Sequence, residues 1–242
     1  MALTKVILYV HLCFAPALVS GCAKDNQQPV AINPPAPVTP PVITDSAIIT
    51  YLALGDSYTI GQGVQPNERY PAQTVEKLKP HGIIVSEPQY IATTGWTTVD
   101  LQNAIASENP EGPFGIVTLL IGVNDTYRRY DTTGYRADFI ILLQKSIELA
   151  GGIKQHVFVL SIPDYSVTPY GGGSAEISAR IDLFTGINKD VTLANGIEYI
   201  NVTNLSREMG NDASLIADGL HPSGKEYEKW AQLLADTINK VY

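Results

Sequence analysis

Short runs of almost entirely apolar residues recur along the chain beyond residue 46. Three of them, 47–54, 116–121 and 157–162, lack the alternation of polar and apolar positions that marks a half-exposed antiparallel strand. Apolar composition at nearly every position is typical of parallel strands that are buried on both faces. The five predicted strands are 47–54, 83–85 continuing towards Ile91, 116–121, 157–162 and 199–202.

Amphipathic stretches separate these runs and predict helices. The predicted helices cover approximately 69–79, 98–107, 135–150, 174–195 and 224–240. Ser223 and Glu226 form a capping-box pattern at the start of the last one. A strand–helix–strand alternation repeated four times implies right-handed crossovers and a sheet covered on both faces. The fold class we expect for residues 46–242 is therefore α/β, a flavodoxin-like three-layer α/β/α domain with a five-stranded, mostly parallel sheet.

Residues 1–21 have the features of an export signal. Lys5 supplies a positive charge, and the apolar stretch 6–19 is too short and too interrupted for a membrane-spanning helix. The stretch ends in Val19-Ser20-Gly21-Cys22, which resembles the bacterial lipobox, in which a cysteine after small residues is lipidated. The resemblance implies a lipid anchor on Cys22 and a location in the bacterial cell envelope. A plain secretory signal with an incidental cysteine is the alternative.

Residues 22–45 differ in composition from the rest of the chain. Six prolines lie between Pro29 and Pro41, with few large apolar side chains among them. Such a segment buries too little surface to fold and favours extended conformations. It is predicted to tether the domain to the membrane, which the protein would contact through the lipid anchor only.

Charge and cysteine content exclude several classes of function. With 16 Lys and Arg against 24 Asp and Glu, the net charge is −8, which argues against a nucleic-acid partner. Only Cys13 and Cys22 are cysteines, so neither a disulfide framework nor a cysteine-rich zinc site is expected. Three aspartates, Asp56, Asp125 and Asp218, lie in separate loops without dense ligand spacing, so we expect no metal and no organic cofactor.

Four short motifs follow predicted strands or precede the last helix. They are Gly55-Asp56-Ser57-Tyr58, Ala92-Thr93-Thr94-Gly95-Trp96, Gly122-Val123-Asn124-Asp125 and Asp218-Gly219-Leu220-His221-Pro222. In parallel α/β sheets, ligands bind at the carboxyl ends of the strands, where three of these motifs would lie.

Together and in this order, the four motifs resemble the signature blocks of the SGNH hydrolase superfamily, also called GDSL esterases and lipases. The resemblance covers residues 50–240. It implies Ser57 as nucleophile, His221 as general base and Asp218 as the carboxylate that supports the histidine. It also implies an oxyanion hole made by the backbone amides of Ser57 and Gly95 and the side-chain amide of Asn124.

Several alternatives remain open from the sequence. His81 and His156 could compete with His221 for the role of base, although their positions favour a structural role, and Asp125 is a rival to Asp218. Ser57 lacks the flanking glycines of the α/β-hydrolase elbow Gly-x-Ser-x-Gly. A binding protein on a catalytically retired hydrolase fold is the non-enzyme alternative.

The resemblance implies an acyl-ester substrate without choosing among a carbohydrate O-acetyl ester, a lysophospholipid and a thioester. Tyrosine suits both sugar rings and short acyl groups, which makes Tyr127, Tyr130, Tyr165 and Tyr170 candidate contacts. Arg128 and Arg129 could contact an anionic group, and the glycines 171–173 could form a lid or a pocket wall. The sequence says nothing about the oligomeric state.

Overall fold

A computed structural model describes residues 48–128 and 131–242 of the protein. The predicted leader 1–21, Cys22 and the predicted tether 22–45 lie outside the described residues, as do Arg129 and Tyr130. Within the described ranges, no helix has the length and apolar character needed to cross a bilayer.

Five parallel strands form the central sheet in the order β2-β1-β3-β4-β5. This order is that of flavodoxin-like folds. Every residue of the three central strands is buried, as their continuous apolar sequences predicted. The strands are β1 (Tyr51–Gly55), β2 (Gln89–Ala92), β3 (Ile116–Leu120), β4 (Val157–Leu160) and β5 (Glu198–Ile200).

Helices cover both faces of the sheet, which confirms the predicted three-layer α/β/α class. Among the described residues the helices are α1 (Ser57–Ile60), α2 (Tyr70–Leu78), α3 (Thr98–Glu108), α4 (Asp125–Arg128), α5 (Thr132–Leu149), α6 (Ala175–Ala194), α7 (Thr203–Arg207) and α8 (Gly224–Ile238). Helices α2 and α8 pack against each other, whereas α3, α5 and α6 pack side by side. The five long helices match the predicted ones to within a few residues; the short helices α1, α4 and α7 were not predicted.

The second predicted strand is displaced along the chain. Val85 forms only an isolated bridge with Ile49, and β2 begins at Gln89. Pro88 stands immediately before β2 and has no N–H to donate to a ladder, which explains why regular pairing begins after it. The apolar residues in this region predicted a strand but not its position relative to the proline.

The predicted capping box at the start of α8 is wrong. The Ser223 hydroxyl donates to the carbonyl of Ser214 over 2.8 Å and makes no side-chain cap. Glu226 is fully buried and accepts a hydrogen bond from the Trp230 indole over 2.8 Å. Ser223 thus binds a residue outside α8 and Glu226 binds a residue one turn further along it, so the reciprocal capping contacts are not made.

An aromatic cluster joins α8 to the carboxyl edge of β1. The buried Trp230 ring lies 5.2 Å from the Tyr227 ring and 6.3 Å from the rings of Tyr58 and Tyr70. On its other side the Tyr58 ring meets the His221 imidazole edge-on at 5.2 Å. The core therefore packs directly against the residues that the sequence singled out as functional.

Candidate active site

The loops after β1 and β3 bring two of the predicted site residues to the same cleft. Ser57 opens α1 two residues after the end of β1, and Asn124 lies between β3 and α4. Asp56 caps α1, because its carboxylate accepts the Tyr58 amide over 3.0 Å. Ser57, Asn124 and His221 are each only 4% exposed. All three line a cavity of about 50 Å³, together with Tyr58, Val123, Tyr127, Tyr165, Tyr170 and Leu220.

Asp218 and His221 form a hydrogen-bonded pair within one tight loop. Oδ2 of Asp218 lies 2.8 Å from Nδ1 of the His221 ring. Oδ1 of Asp218 accepts the backbone amides of Leu220 and His221 over 3.1 and 2.8 Å. Partial burial by itself would raise the pKa of Asp218, but the hydrogen bonds from His221 outweigh burial and hold that pKa below its ordinary value. Asp218 is therefore an anion at neutral pH, and Nε2 of His221 is the ring nitrogen left for the cleft.

Asp125, the rival carboxylate, has a different role in the structure. It is buried and accepts hydrogen bonds from the backbone amide and the hydroxyl of Thr98, over 3.0 and 2.8 Å. These contacts attach the loop after β3 to the start of α3. Asp125 therefore braces this loop, and of the two rival carboxylates Asp218 is the one hydrogen-bonded to the His221 ring.

The loops that carry Gly95 and Asn124 are connected by a hydrogen bond. Nδ2 of Asn124 donates to the carbonyl of Trp96 over 2.9 Å. Gly95 has a φ of 83°, in the left-handed region, and a Cβ atom there would lie 3.0 Å from Nη2 of Arg128. Gly95 does not line the 50 Å³ cavity itself; it stands in the adjoining loop, one residue before the carbonyl that binds Asn124.

The two competing histidines lie away from the cleft. His81 ends an exposed 3₁₀ turn, Lys79–His81, that follows α2. His156 ends the turn Lys154–His156 at the amino end of β4, where its ring stacks on Tyr242 at 5.5 Å. Neither lines the cavity with Ser57.

A wider groove shares three tyrosines with the cleft. Its volume is about 430 Å³, and its lining residues are Tyr127, Tyr165, Tyr170, Ser174, Glu176, Ile177 and Arg180. The glycines 171–173 lie between the lining residues Tyr170 and Ser174 but do not line the groove themselves. The backbone amide of Gly173 donates to the carbonyl of Ser166 over 2.8 Å, and that of Tyr170 donates to the carbonyl of Gly219 over 3.0 Å. The second bond ties this segment to the loop that carries His221.

Asp56 is the most unusual carboxyl group near the cleft. It is fully buried, and its Oδ2 atom has no hydrogen-bond partner among the described residues. Burial, reinforced by the negative charge of Asp125 and opposed by the Tyr58 amide, raises the pKa of Asp56 to about 8. The sequence does not reveal the burial of Asp56, because burial of a polar side chain leaves no local pattern.

We predict that Asp56→Asn changes the pH dependence of stability. The folded-state pKa lies above the value in the unfolded chain, so the wild-type protein loses stability as pH rises from about 4 to 8. The asparagine side chain does not ionise, so the variant does not lose stability in this way as pH rises. The free energy of unfolding of the variant relative to wild type should therefore increase by about 2–4 kcal/mol between pH 5 and pH 8.

Denaturant unfolding at several pH values measures this difference, with Asp236→Asn on the exposed face of α8 as the matched control. The control should stay within about 0.5 kcal/mol of wild type. A stability difference between Asp56→Asn and wild type that does not change with pH contradicts the prediction.

Comparison with known proteins adds a family and several structural relatives. Residues 53–229 match the model of the GDSL-like lipase/acylhydrolase family. No curated protein sequence gives a significant match.

Solved structures with the same fold share little sequence with this chain. TesA is 18% identical with a TM-score of 0.63, and the match covers 80% of this chain and 99% of TesA. The acetyl xylan esterase AlAXEase is 18% identical with a TM-score of 0.61, covering 78% of this chain and all of that one. A lipase/acylhydrolase from Enterococcus faecalis is 22% identical with a TM-score of 0.61, covering 80% of this chain and 97% of that one.

At these identities the structural matches establish the fold, whereas the family model spans well over half of the chain. The four sequence motifs, the flavodoxin-like strand order and this match agree with one another. The chain is therefore a hydrolase that belongs to the GDSL-like lipase/acylhydrolase family, within the SGNH hydrolase superfamily.

Proposed function

We propose that the protein is a serine esterase that hydrolyses acyl esters through a covalent acyl-enzyme. The observation that carries this proposal is the Asp218–His221 hydrogen bond beside Ser57 in one narrow cleft. An imidazole held by a carboxylate at Nδ1 presents Nε2 to a nucleophile, the arrangement that activates a serine hydroxyl.

In the first half of the proposed reaction, the Ser57 oxygen adds to the ester carbonyl carbon while its proton passes to Nε2 of His221. The carbonyl oxygen becomes an oxyanion, which the backbone amides of Ser57 and Gly95 and the Asn124 amide stabilise. The carbon–oxygen bond to the alcohol then breaks, and the alcohol leaves with the proton from His221. Asp218 stays ionised and stabilises the imidazolium.

In the second half, water attacks the acyl-serine carbonyl and gives a proton to His221. Collapse of the tetrahedral intermediate releases the carboxylic acid and returns the proton to Ser57. The low pKa of Asp218 supports this scheme, because the carboxylate must remain charged while the imidazole gains and loses its proton.

Ser57→Ala and His221→Ala should each abolish nearly all turnover of p-nitrophenyl acetate. Loss of a triad member typically leaves only the small rate enhancement due to binding and the oxyanion hole. His156→Ala is the matched control and should keep most of its turnover, because that ring lies at the amino end of β4. Turnover by Ser57→Ala equal to that of an active wild type would contradict the serine mechanism, whereas absence of turnover by the wild type itself would favour the retired-hydrolase alternative.

A second, narrower candidate is a carbohydrate O-acetyl esterase. The cavity at Ser57 is small, with a volume of about 50 Å³. That space suits an acetyl group better than a long acyl chain. The tyrosine-lined groove of about 430 Å³ next to it offers flat apolar faces with polar edges, which suit sugar rings. Lysophospholipase and thioesterase activities stay as alternatives without such support.

Acyl-chain selectivity tests this second candidate. The kcat/KM for p-nitrophenyl acetate should exceed that for the octanoate by about tenfold or more, because the extra methylenes have no room at Ser57. Tyr170→Ala should raise KM for an acetylated xylo-oligosaccharide roughly five- to tenfold through loss of an aromatic contact, and should raise KM for p-nitrophenyl acetate less, because that substrate has no sugar ring to contact the groove. A higher kcat/KM for the octanoate than for the acetate argues against an acetylated sugar as substrate. An equal increase in KM for both substrates of Tyr170→Ala argues against it as well.

We also propose that Cys22 is lipidated and holds the domain at the bacterial cell envelope through the segment 22–45. The lipobox-like sequence supports this proposal. Two or more acyl chains on one cysteine give stable anchoring, where a single chain is marginal.

Radiolabelled palmitate should enter the full-length protein in a bacterial host and be lost in Cys22→Ser. Cys13→Ser is the matched control and should keep the label, because Cys13 lies within the leader that processing would remove. Equal labelling of wild type and Cys22→Ser contradicts the lipoprotein assignment.

A further inference from the structure

The side-chain amide of Asn124 is held at both of its ends. Its Nδ2 atom donates to the Trp96 carbonyl over 2.9 Å, and its Oδ1 atom accepts from the Tyr127 hydroxyl over 2.5 Å. A carbonyl can only accept, so the NH₂ group must face Trp96. One N–H is used in this bond, and the second N–H is the one that can reach an oxyanion.

Tyr127 is able to reach Asn124 because α4 begins directly after the asparagine. The Arg128 amide donates to the Asn124 carbonyl over 3.0 Å, which closes one helical turn. Residues three apart lie on the same face of such a turn. The Tyr127 ring is 52% exposed, so its hydrogen bond to Asn124, rather than burial of the ring, is its most specific contact.

We propose that Tyr127 is a positioning residue for the hydrolysis assigned above: its hydroxyl keeps the Asn124 amide turned so that an N–H faces the oxyanion. The proposal rests on the proposed function, because it needs Asn124 to act in the oxyanion hole. It adds a residue outside the four sequence motifs, at a position where phenylalanine would provide the same cleft wall without the hydrogen bond.

The electrostatics of Tyr127 fit a donor role. Partial burial raises the pKa of the phenol above its ordinary value, against the lowering effect of Arg128, so the hydroxyl keeps its proton at neutral pH. A hydrogen bond accepted by an amide oxygen also polarises the amide and strengthens its N–H as a donor. The strengthened N–H stabilises the substrate oxygen most when negative charge develops on it. Loss of the Tyr127 hydrogen bond should therefore lower kcat rather than raise KM.

Tyr127→Phe tests the proposal in the full-length protein with p-nitrophenyl acetate. We expect kcat to fall about tenfold, less than the ~10²–10³ that loss of an oxyanion donor costs, and KM to stay within about twofold. Tyr242→Phe is the matched control: its hydroxyl donates to the Gly115 carbonyl at the amino end of β3, so kcat should not change. Thermal unfolding of each variant checks that the fold is retained.

A double-mutant cycle separates positioning from a general effect on structure. In an Asn124→Ala background, Tyr127→Phe should cause no further loss of kcat, because the amide that it orients is absent. As a second readout, phenylboronic acid, which forms a tetrahedral adduct with an active serine, should bind Tyr127→Phe about tenfold more weakly than wild type. Both measurements report on stabilisation of the oxyanion. A residue that only forms the cleft wall would not contribute to that stabilisation.

The outcomes distinguish the positioning role of Tyr127 from the esterase mechanism on which it rests. If turnover depends on Ser57 but Tyr127→Phe keeps the wild-type kcat and boronate affinity, the positioning role is overturned and the esterase mechanism stands. If Tyr127→Phe lowers kcat by the same factor in the wild-type and Asn124→Ala backgrounds, the positioning role is overturned as well. If Ser57→Ala turns over as wild type does, the mechanism and the positioning role fall together.

Discussion

Parallel pairing of β1 with β2 on one side and β3 on the other determines where this protein can do chemistry. Because the three strands run in the same direction, their carboxyl ends meet at one edge of the sheet. The loop with Ser57 consequently lies between the loop with Gly95 and the loop with Asn124. The position of the proposed nucleophile between the two loops with proposed oxyanion donors follows from strand order alone, before any side-chain contact is considered.

Hydrogen bonds between the loops then convert this proximity into defined geometry. The Asn124 amide binds the Trp96 carbonyl, and the neighbouring carboxylate of Asp125 binds Thr98 at the start of α3. Asp218 orients His221 from within its own loop, and the groove wall is tied to that loop through Tyr170 and Gly219. Each carboxylate of the site thus has a separate structural task. Asp56 caps α1 but also makes the protein less stable at high pH, because it is buried and its Oδ2 has no hydrogen-bond partner among the described residues.

Much of the fold could be predicted, because burial on both faces of a parallel strand leaves a continuous apolar run and one-sided burial of a helix leaves a periodic pattern in the sequence. The errors arose where individual side-chain and backbone contacts decided the outcome. Regular pairing of β2 begins only after Pro88, and Ser223 and Glu226 bind Ser214 and Trp230 instead of capping α8. Leader, tether and lipidation of Cys22 remain predictions from the sequence.

The sequence by itself determined the α/β class, the family and the identity of the motif residues, because those depend on local composition and on short motifs. The closeness of Ser57 to His221, 164 positions away in the chain, depends on how β1 and the loop before α8 pack, and only the tertiary structure could decide it. The same holds for the buried state of Asp56 and for the small size of the cleft. These features arise from packing and from the exclusion of water, which act between segments distant in sequence and leave no pattern within any one of them.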